Sequence, residues 1–471
     1  VTSGSLGSSG ETTLELIRLF VLLVGAAALV TLLARRINLP YTVALVAFGI
    51  VAGVLAQPLQ VEITPQLVLV VLLPALIFEA SYQTDFGKLR PSIVGVALLA
   101  GPGVLVSASI IAAALHFGAG LAPTQAFVVG AMLSATDPAA VIATFKRLDS
   151  PRRLATLVEA ESVFNDGTGI VVFALAVDFV SRPVGPAEIG LTFAWVVIAS
   201  AALGALAGFA TSRILPTVGD HLIEISFSVV LAYGTYLAAD AFHLSGVIAT
   251  AVAGIVLGSY GRKNGLSPRT EEALDTVWEF VAFLATAFVF LVVGFAISIR
   301  ALVDVASPIA WAFAAALAGR ALIVYGLLGA WRLVRPHRHP SKRPPKPGNR
   351  RPPAREEAAI PIDWLHVVFW SGLRGAVSTA LALSLPLDFP NRSEMQGITF
   401  GVVLITLLLQ ATTAELVVAR WGRKRSGANA GTERGGGRGS PAVSRSQAGP
   451  PAGESSAPGG ARAEGGVNSV P

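Results

Sequence analysis

The chain of 471 residues is 53% hydrophobic and only 14% charged, with a mean hydropathy of +0.66. A water-soluble domain carries nearer a quarter charged residues, so the composition excludes one and points to a membrane protein. Its net charge of +6 does not require a nucleic-acid partner, because the basic residues prove to be placed by topology, and the absence of cysteine excludes disulfides and thiolate metal sites.

About 13 apolar runs recur at the length a bilayer demands, roughly 20 residues each. In chain order they lie near Leu14–Ala34, Tyr41–Ala56, Gln66–Ala80, Ile93–Phe117, Thr124–Phe145, Leu154–Val180, Ile189–Ile214, Ile223–Ala239, Leu244–Tyr260, Val277–Ile299, Val305–Leu333, Ile362–Leu385 and Gly397–Val418. Lys and Arg test that frame, since cytoplasmic loops are enriched in them. The segments after odd-numbered spans carry Arg35 and Arg36, Lys88 and Arg90, Lys146 to Arg153, Arg213, Arg262 to Arg269, the stretch Arg332–Arg355, and Arg423 to Arg425. Those after even-numbered spans carry single arginines such as Arg182, Arg300 or Arg392. The alternation places the N-terminus outside and the C-terminus in the cytoplasm of a multi-pass cell-membrane protein. Residues 1–13 read as a short N-terminal segment without a signal-peptide pattern, 14–420 as the transmembrane domain, 335–361 as a Pro- and Arg-rich cytoplasmic linker, and 426–471 as a disordered cytoplasmic tail.

Polar residues inside the spans carry the functional argument. In span five, SATDPAAVIA puts Asp137 before Pro138, and the proline removes the helix bond to the Ser134 carbonyl, so this helix is expected to break. Asp is a good N-cap and Pro a good first helical residue, so Asp137 is expected to cap a second half-helix starting at Pro138. A broken helix with a charge at the midplane also suits direct contact with an ion, and both roles remain open for Asp137. In span six, Ser162 and Asp166 lie four apart on one face, with Glu161 and Asn165 on the next. Asp166 falls roughly 18 Å into the bilayer from the cytoplasmic side, near its middle, where a carboxylate is costly and marks function by default. Glu161 lies shallower and suits a structural pair. Arg320 in span eleven and Arg374 in span twelve are the cations well inside a span, besides Arg18 near the outer end of span one, and each needs a partner. Gly372 and Gly375 flank Arg374, which makes span twelve the second candidate for a broken helix. If spans one to six and eight to thirteen are inverted repeats, the two breaks fall at corresponding positions. The expected fold is therefore an all-α polytopic membrane protein with about 13 transmembrane helices in two inverted repeats and broken spans five and twelve.

Six segments, in order along this frame, carry a family resemblance: LLPALIFEAS (Leu72–Ser81), SATDPAAVIA (Ser134–Ala143), EAESVFNDGTG (Glu159–Gly169), HLSGVIATAVAGIVLG (His243–Gly258), VWEFVAFLATAFVFLVVG (Val277–Gly294) and GLRGAVSTALALSLP (Gly372–Pro386). Through them the chain resembles the monovalent cation/proton antiporter family 1, the Na+/H+ exchanger and prokaryotic sodium/proton antiporter group. The resemblance implies that Asp166 binds the metal cation and the proton alternately, with Ser162, Asn165, Thr136 and Asp137 nearby and Glu79 approaching the ion path. It also implies that Glu161 pairs with Arg320, that Arg374 balances crossed half-helices, and that the protein is a homodimer in the lipid bilayer. The partners expected are monovalent cations and protons, with no enzymatic activity and no cofactor. Glu159 reads as a funnel or surface charge near Arg152 and Arg153, and His243 as a loop or packing residue.

Electrogenic relatives carry two adjacent aspartates where this chain has Asn165 and Asp166, so electroneutral exchange of one Na+ or Li+ for one H+ is expected. The residues leave open a K+/H+ antiporter of the same fold, since selectivity depends on ligand geometry that spacing does not reveal. An intramembrane aspartyl protease would need a second catalytic aspartate on a facing span. A cation channel fits poorly with charges suited to a packed carrier core.

Overall fold

The computed structural model describes residues 5–422 except 38, 56–66, 91–92, 149, 182–184, 265, 298 and 331–359. Apart from Ile360 and Pro361, the expected linker lies outside the described residues, as does the whole expected tail. No strand occurs among the described residues, which is what lipid imposes: a helix satisfies its own backbone donors and acceptors where water cannot.

The helices follow the order of the apolar runs. Spans one to three are Ser5–Arg36, Tyr41–Leu55, and Leu67–Leu72 continued by Leu73–Tyr82; the first therefore begins well ahead of the apolar run at Leu14. Span four is Ile93–Ala100 and Pro102–Ala119, jointed at Gly101, with proline in the first turn of the second piece, where its missing N–H costs nothing. Span five is split into Pro123–Met132 and Ala139–Arg147, and span six is the long helix Arg152–Ser181. Spans seven to eleven are Pro186–Ile214, His221–Ala241, Gly246–Val256, Pro268–Ala296 and Ala306–Ala321. Span twelve is split into Ile362–Trp370 and Ala376–Leu383, and span thirteen starts with Arg392–Thr406 and continues to Gly422. Seven of the described helices are long and apolar enough to cross a membrane, while Tyr41–Leu55 and Val68–Tyr82 are shorter apolar helices. Large apolar side chains such as Trp195, Leu206 and Val230 stand exposed on the outside, the surface expected of a protein whose solvent there is lipid.

Packing divides the helices into two groups. Span two lies along span ten, and span nine packs on spans three, seven and eight. Spans four, five and six pack together; span eleven lies on spans four and thirteen, and the second half of span twelve lies on thirteen. The groups meet at span six, which also touches spans three, seven and nine, and where span ten meets span twelve and span two meets span thirteen. Ion pairs tie helix ends within each group. Arg147 meets Glu415 at 2.8 Å between spans five and thirteen, and Arg262 binds Glu271 and Asp275 at the start of span ten. His243 closes span eight at φ 53, its amide donating to the Asp240 carbonyl, which agrees with its reading as a loop residue.

Candidate functional site

Pro138 leaves the Ser134 carbonyl without its helix donor, and the fold supplies two others: Arg374 Nη1 at 3.0 Å and Asn165 Nδ2 at 3.2 Å. Arg374 Nη1 also donates to the Ala135 carbonyl at 3.0 Å. A guanidinium thus sits at the C-terminal end of the first half of span five, where the helix dipole is negative. The Asp137 carboxylate does the opposite. Its Oδ1 accepts from the Ala139 amide at 3.0 Å and its Oδ2 from the Ala376 amide at 3.3 Å, so one side chain caps the second halves of both span five and span twelve. The capped half-helix starts at Ala139, one residue later than the sequence suggested, with Pro138 in the capping position. The breaks also join directly, Asp137 N donating to the Leu373 carbonyl at 2.9 Å.

Both glycines beside Arg374 are there because neighbours come close. A Cβ on Gly375 would stand 2.1 Å from Asp137 Oδ2, and one on Gly372 would stand 2.8 Å from Arg320 Nε. Thr406 of span thirteen holds the break from behind, accepting from the Arg374 amide at 3.2 Å and donating to its carbonyl at 3.3 Å.

Span six lies against this crossing. Arg320 forms a two-pronged pair with Glu161, at 2.7 Å to Oε1 and 3.0 Å to Oε2, and its Nη2 donates to the Val368 carbonyl at 2.8 Å. Both partners are buried, so the pair joins spans six and eleven inside the protein and reaches span twelve. Asn165 Nδ2 faces three acceptors: the Ser134 carbonyl, Thr136 Oγ1 at 2.9 Å and Glu161 Oε1 at 3.3 Å. Ser162 Oγ donates to the Thr136 carbonyl at 2.6 Å. Asp166 is buried beside these groups, the Thr136 amide is turned toward it, and its Oδ1 has no hydrogen-bond partner.

The structure therefore brings together Thr136, Asp137, Glu161, Ser162, Asn165, Asp166, Arg320 and Arg374. Glu79 lies half-buried on span three, where Gln83 donates to its Oε1 at 3.0 Å, and Tyr41 of span two is within electrostatic reach of both Glu79 and Asp137. Within this cluster Asp137 has both oxygens committed to backbone amides, whereas Asp166 keeps an unpartnered oxygen. Spacing alone missed Thr406, the Val368 carbonyl and the second cap on Asp137. Only the threonine left a trace, as a hydroxyl in an apolar helix.

A family profile described as "Sodium/hydrogen exchanger, transmembrane" matches residues 23–420. The chain belongs to the sodium/hydrogen exchanger family. This exchanger is 36% identical over 392 residues to the Na(+)/H(+) antiporter ApNhaP of Aphanothece halophytica, covering 82% of its own length and 70% of that protein's. It is 33% identical to the Na(+)/H(+) antiporter NhaH of Halobacillus aidingensis, covering 85% of its own length and 97% of the relative's. Its fold is similar to that of the sodium proton antiporter MjNhaP1 of Methanocaldococcus jannaschii, with a TM-score of 0.67 at 18% identity, over 87% of this chain and 99% of the other. The exchanger is thus an all-helical, multi-pass membrane protein with its two interrupted helices at spans five and twelve.

Proposed function

We propose that this exchanger is a secondary active antiporter that moves Na+, or Li+, in one direction and H+ in the other through a single site at Asp166. The observation carrying this reading is the state of the three acids at the crossing. Glu161 is neutralised by Arg320 and Asp137 is committed to two amides, so Asp166 alone keeps a free carboxylate oxygen. Na+ takes hard oxygen ligands, and the ionised Asp166 meets Thr136, whose amide is turned toward it and whose carbonyl accepts from Ser162 Oγ. Protonation neutralises the same carboxylate and releases the cation, so the two ligands compete.

Transport follows from electrostatics. An ionised Asp166 without a partner is held where it has water, since moving a bare charge through an apolar seal is expensive. A cation or a proton cancels that charge and frees the site to move. The group of spans four to six and eleven to thirteen carries the site and shifts against the other group, in the manner of two inverted repeats. The protein works as a homodimer with its N-terminus outside and its C-terminus in the cytoplasm; the alternation of basic loops supports that orientation. Because Asn165 stands where a second titrating carboxylate would be, exchange is one for one and electroneutral.

Purified protein in liposomes tests the reading through proton movement driven by Na+, Li+ or K+ gradients. Exchange with Na+ or Li+ is expected, at a rate unaffected by an imposed membrane potential. A K+-only response makes it a K+/H+ antiporter, voltage-dependent turnover refutes one-for-one exchange, and flux without counter-ion coupling makes it a channel.

A further inference from the structure

Behind the crossing, on the side of span four, lies a small cavity lined by Ser107, Ser134, Thr136, Asn165, Arg320 and Arg374 together with apolar side chains of spans four and eleven. Four polar atoms of these lining residues have no hydrogen-bond partner: Ser107 Oγ, Asn165 Oδ1, Arg320 Nε and Arg374 Nε. All four residues are at least nine-tenths buried, at 4%, 3%, 5% and 1% exposure. A buried polar atom left unpaired costs free energy comparable to a lost hydrogen bond, and such clusters in native proteins are bridged by ordered water.

The atoms define what the cavity holds. Asn165 cannot be turned around, because its Nδ2 faces the Ser134 carbonyl and the Glu161 carboxylate, both of which only accept. Its Oδ1 is therefore an acceptor in need of a donor. The two Nε–H groups are donors in need of an acceptor, and the Ser107 hydroxyl serves either way. Two guanidinium groups exclude a cation, while an unpaired amide oxygen and a volume of about 10 Å3, the room of one water-sized sphere, exclude an anion such as chloride. The geometry points to an internal binding site for one water molecule, which accepts from Arg320 Nε and Arg374 Nε and donates to Asn165 Oδ1, with Ser107 as its fourth neighbour.

This site adjoins the proposed ion site, with which it shares Thr136, but Asp166 does not line the cavity. The water joins the two buried arginines, one from the Glu161 pair and one from the helix crossing, through a ligand that either can share. It also keeps Asn165 turned so that its donors point to Ser134, Thr136 and Glu161 and cannot swing toward a bound cation.

An experimental map of the whole protein that resolves other buried waters tests the inference. A solvent peak within hydrogen-bond distance of Arg320 Nε and Asn165 Oδ1 is expected; its absence overturns the site, and an anomalous peak there after bromide or rubidium exchange overturns the identity as water. Stability gives a second, sign-based test. Ser107→Ala keeps the space, whereas Ser107→Val displaces the water and strands three polar atoms, so the valine variant is expected to melt several degrees below the alanine variant. A dry cavity predicts the reverse, because valine then fills a void. A valine variant melting at or above the alanine one overturns the water site.

Discussion

Replacing Glu161 with glutamine changes one oxygen to an NH2 group and leaves the volume intact, so it isolates the charge of the Glu161–Arg320 pair. The pair has two charge-assisted bonds, at 2.7 and 3.0 Å, each worth roughly 1.5–3 kcal/mol. Glutamine can keep one of them through its remaining oxygen and must turn two donors toward the other guanidinium nitrogen. The lasting harm is to Arg320, which keeps only neutral acceptors, the glutamine oxygen and the Val368 carbonyl at 2.8 Å, for a full charge at 5% exposure. Removing one member of such a buried pair costs roughly 3–5 kcal/mol. Arg320→Gln does the converse, leaving an unpaired carboxylate at 1% exposure. The double variant Glu161→Gln with Arg320→Gln restores a neutral contact, so it is expected to be less destabilised than the sum of the singles, with a coupling of roughly 0.5–3 kcal/mol. Thermal unfolding of the four detergent-purified proteins, followed by tryptophan fluorescence, measures the cycle. If the two single losses simply add, the pair contributes no interaction energy and the argument from its geometry fails.

Other variants separate the roles at the crossing. Asp166→Asn is expected to fold with wild-type thermal stability or better and to show no cation-driven proton movement in liposomes; residual coupled exchange would remove Asp166 from the site. Asp137→Asn keeps one acceptor but aims an NH2 group at a backbone amide, so it is expected to lose roughly 0.5–2 kcal/mol of stability while retaining exchange. A stable Asp137→Asn protein without transport would make Asp137 an ion ligand as well as a cap. Gly375→Ala puts a Cβ 2.1 Å from Asp137 Oδ2 and is expected to destabilise by roughly 1–3 kcal/mol, as overpacking does. An alanine variant with an unchanged melting temperature would mean that the breaks can separate without cost.

The elements of this protein are legible in its sequence because lipid enforces them: a run of apolar residues must become a helix. The break at Asp137–Pro138 is legible too, since it follows from the missing proline N–H. What spacing cannot reveal is where the freed groups go. The Ser134 carbonyl finds Arg374, 240 residues away, and the Asp137 carboxylate finds the amide of Ala376, 239 residues away. Glu161 and Arg320, 159 residues apart, were joined beforehand only through the family resemblance. Asn165 is the instructive case. The family resemblance put it near the cation site, and in the fold its amide nitrogen faces Ser134, Thr136 and Glu161 while its oxygen has no hydrogen-bond partner.

The charges at the crossing supply the reason for proposing one carboxylate among several as the exchanging one. Glu161 and Arg320 cancel within a two-pronged pair. Arg374 and Asp137 stand at helix ends of opposite polarity, the cation on exposed carbonyls and the anion on exposed amides, so each is held by the dipole that its own break created. Those four charges sum to zero and are fixed by backbone geometry, which a small mobile ligand cannot easily displace. Asp166 is the fifth charge; Arg374 is within electrostatic reach of it, but nothing in the network pairs with its Oδ1, which has no hydrogen-bond partner. In the proposed cycle these five charges at the crossing sum to zero when Asp166 holds Na+ or H+ and to minus one when it holds neither. A barrier that stops the negative form and passes the neutral one couples the two ions without any mechanical link between them. Ion exchange then follows from this single imbalance, and the rest of the polar network serves to keep it single.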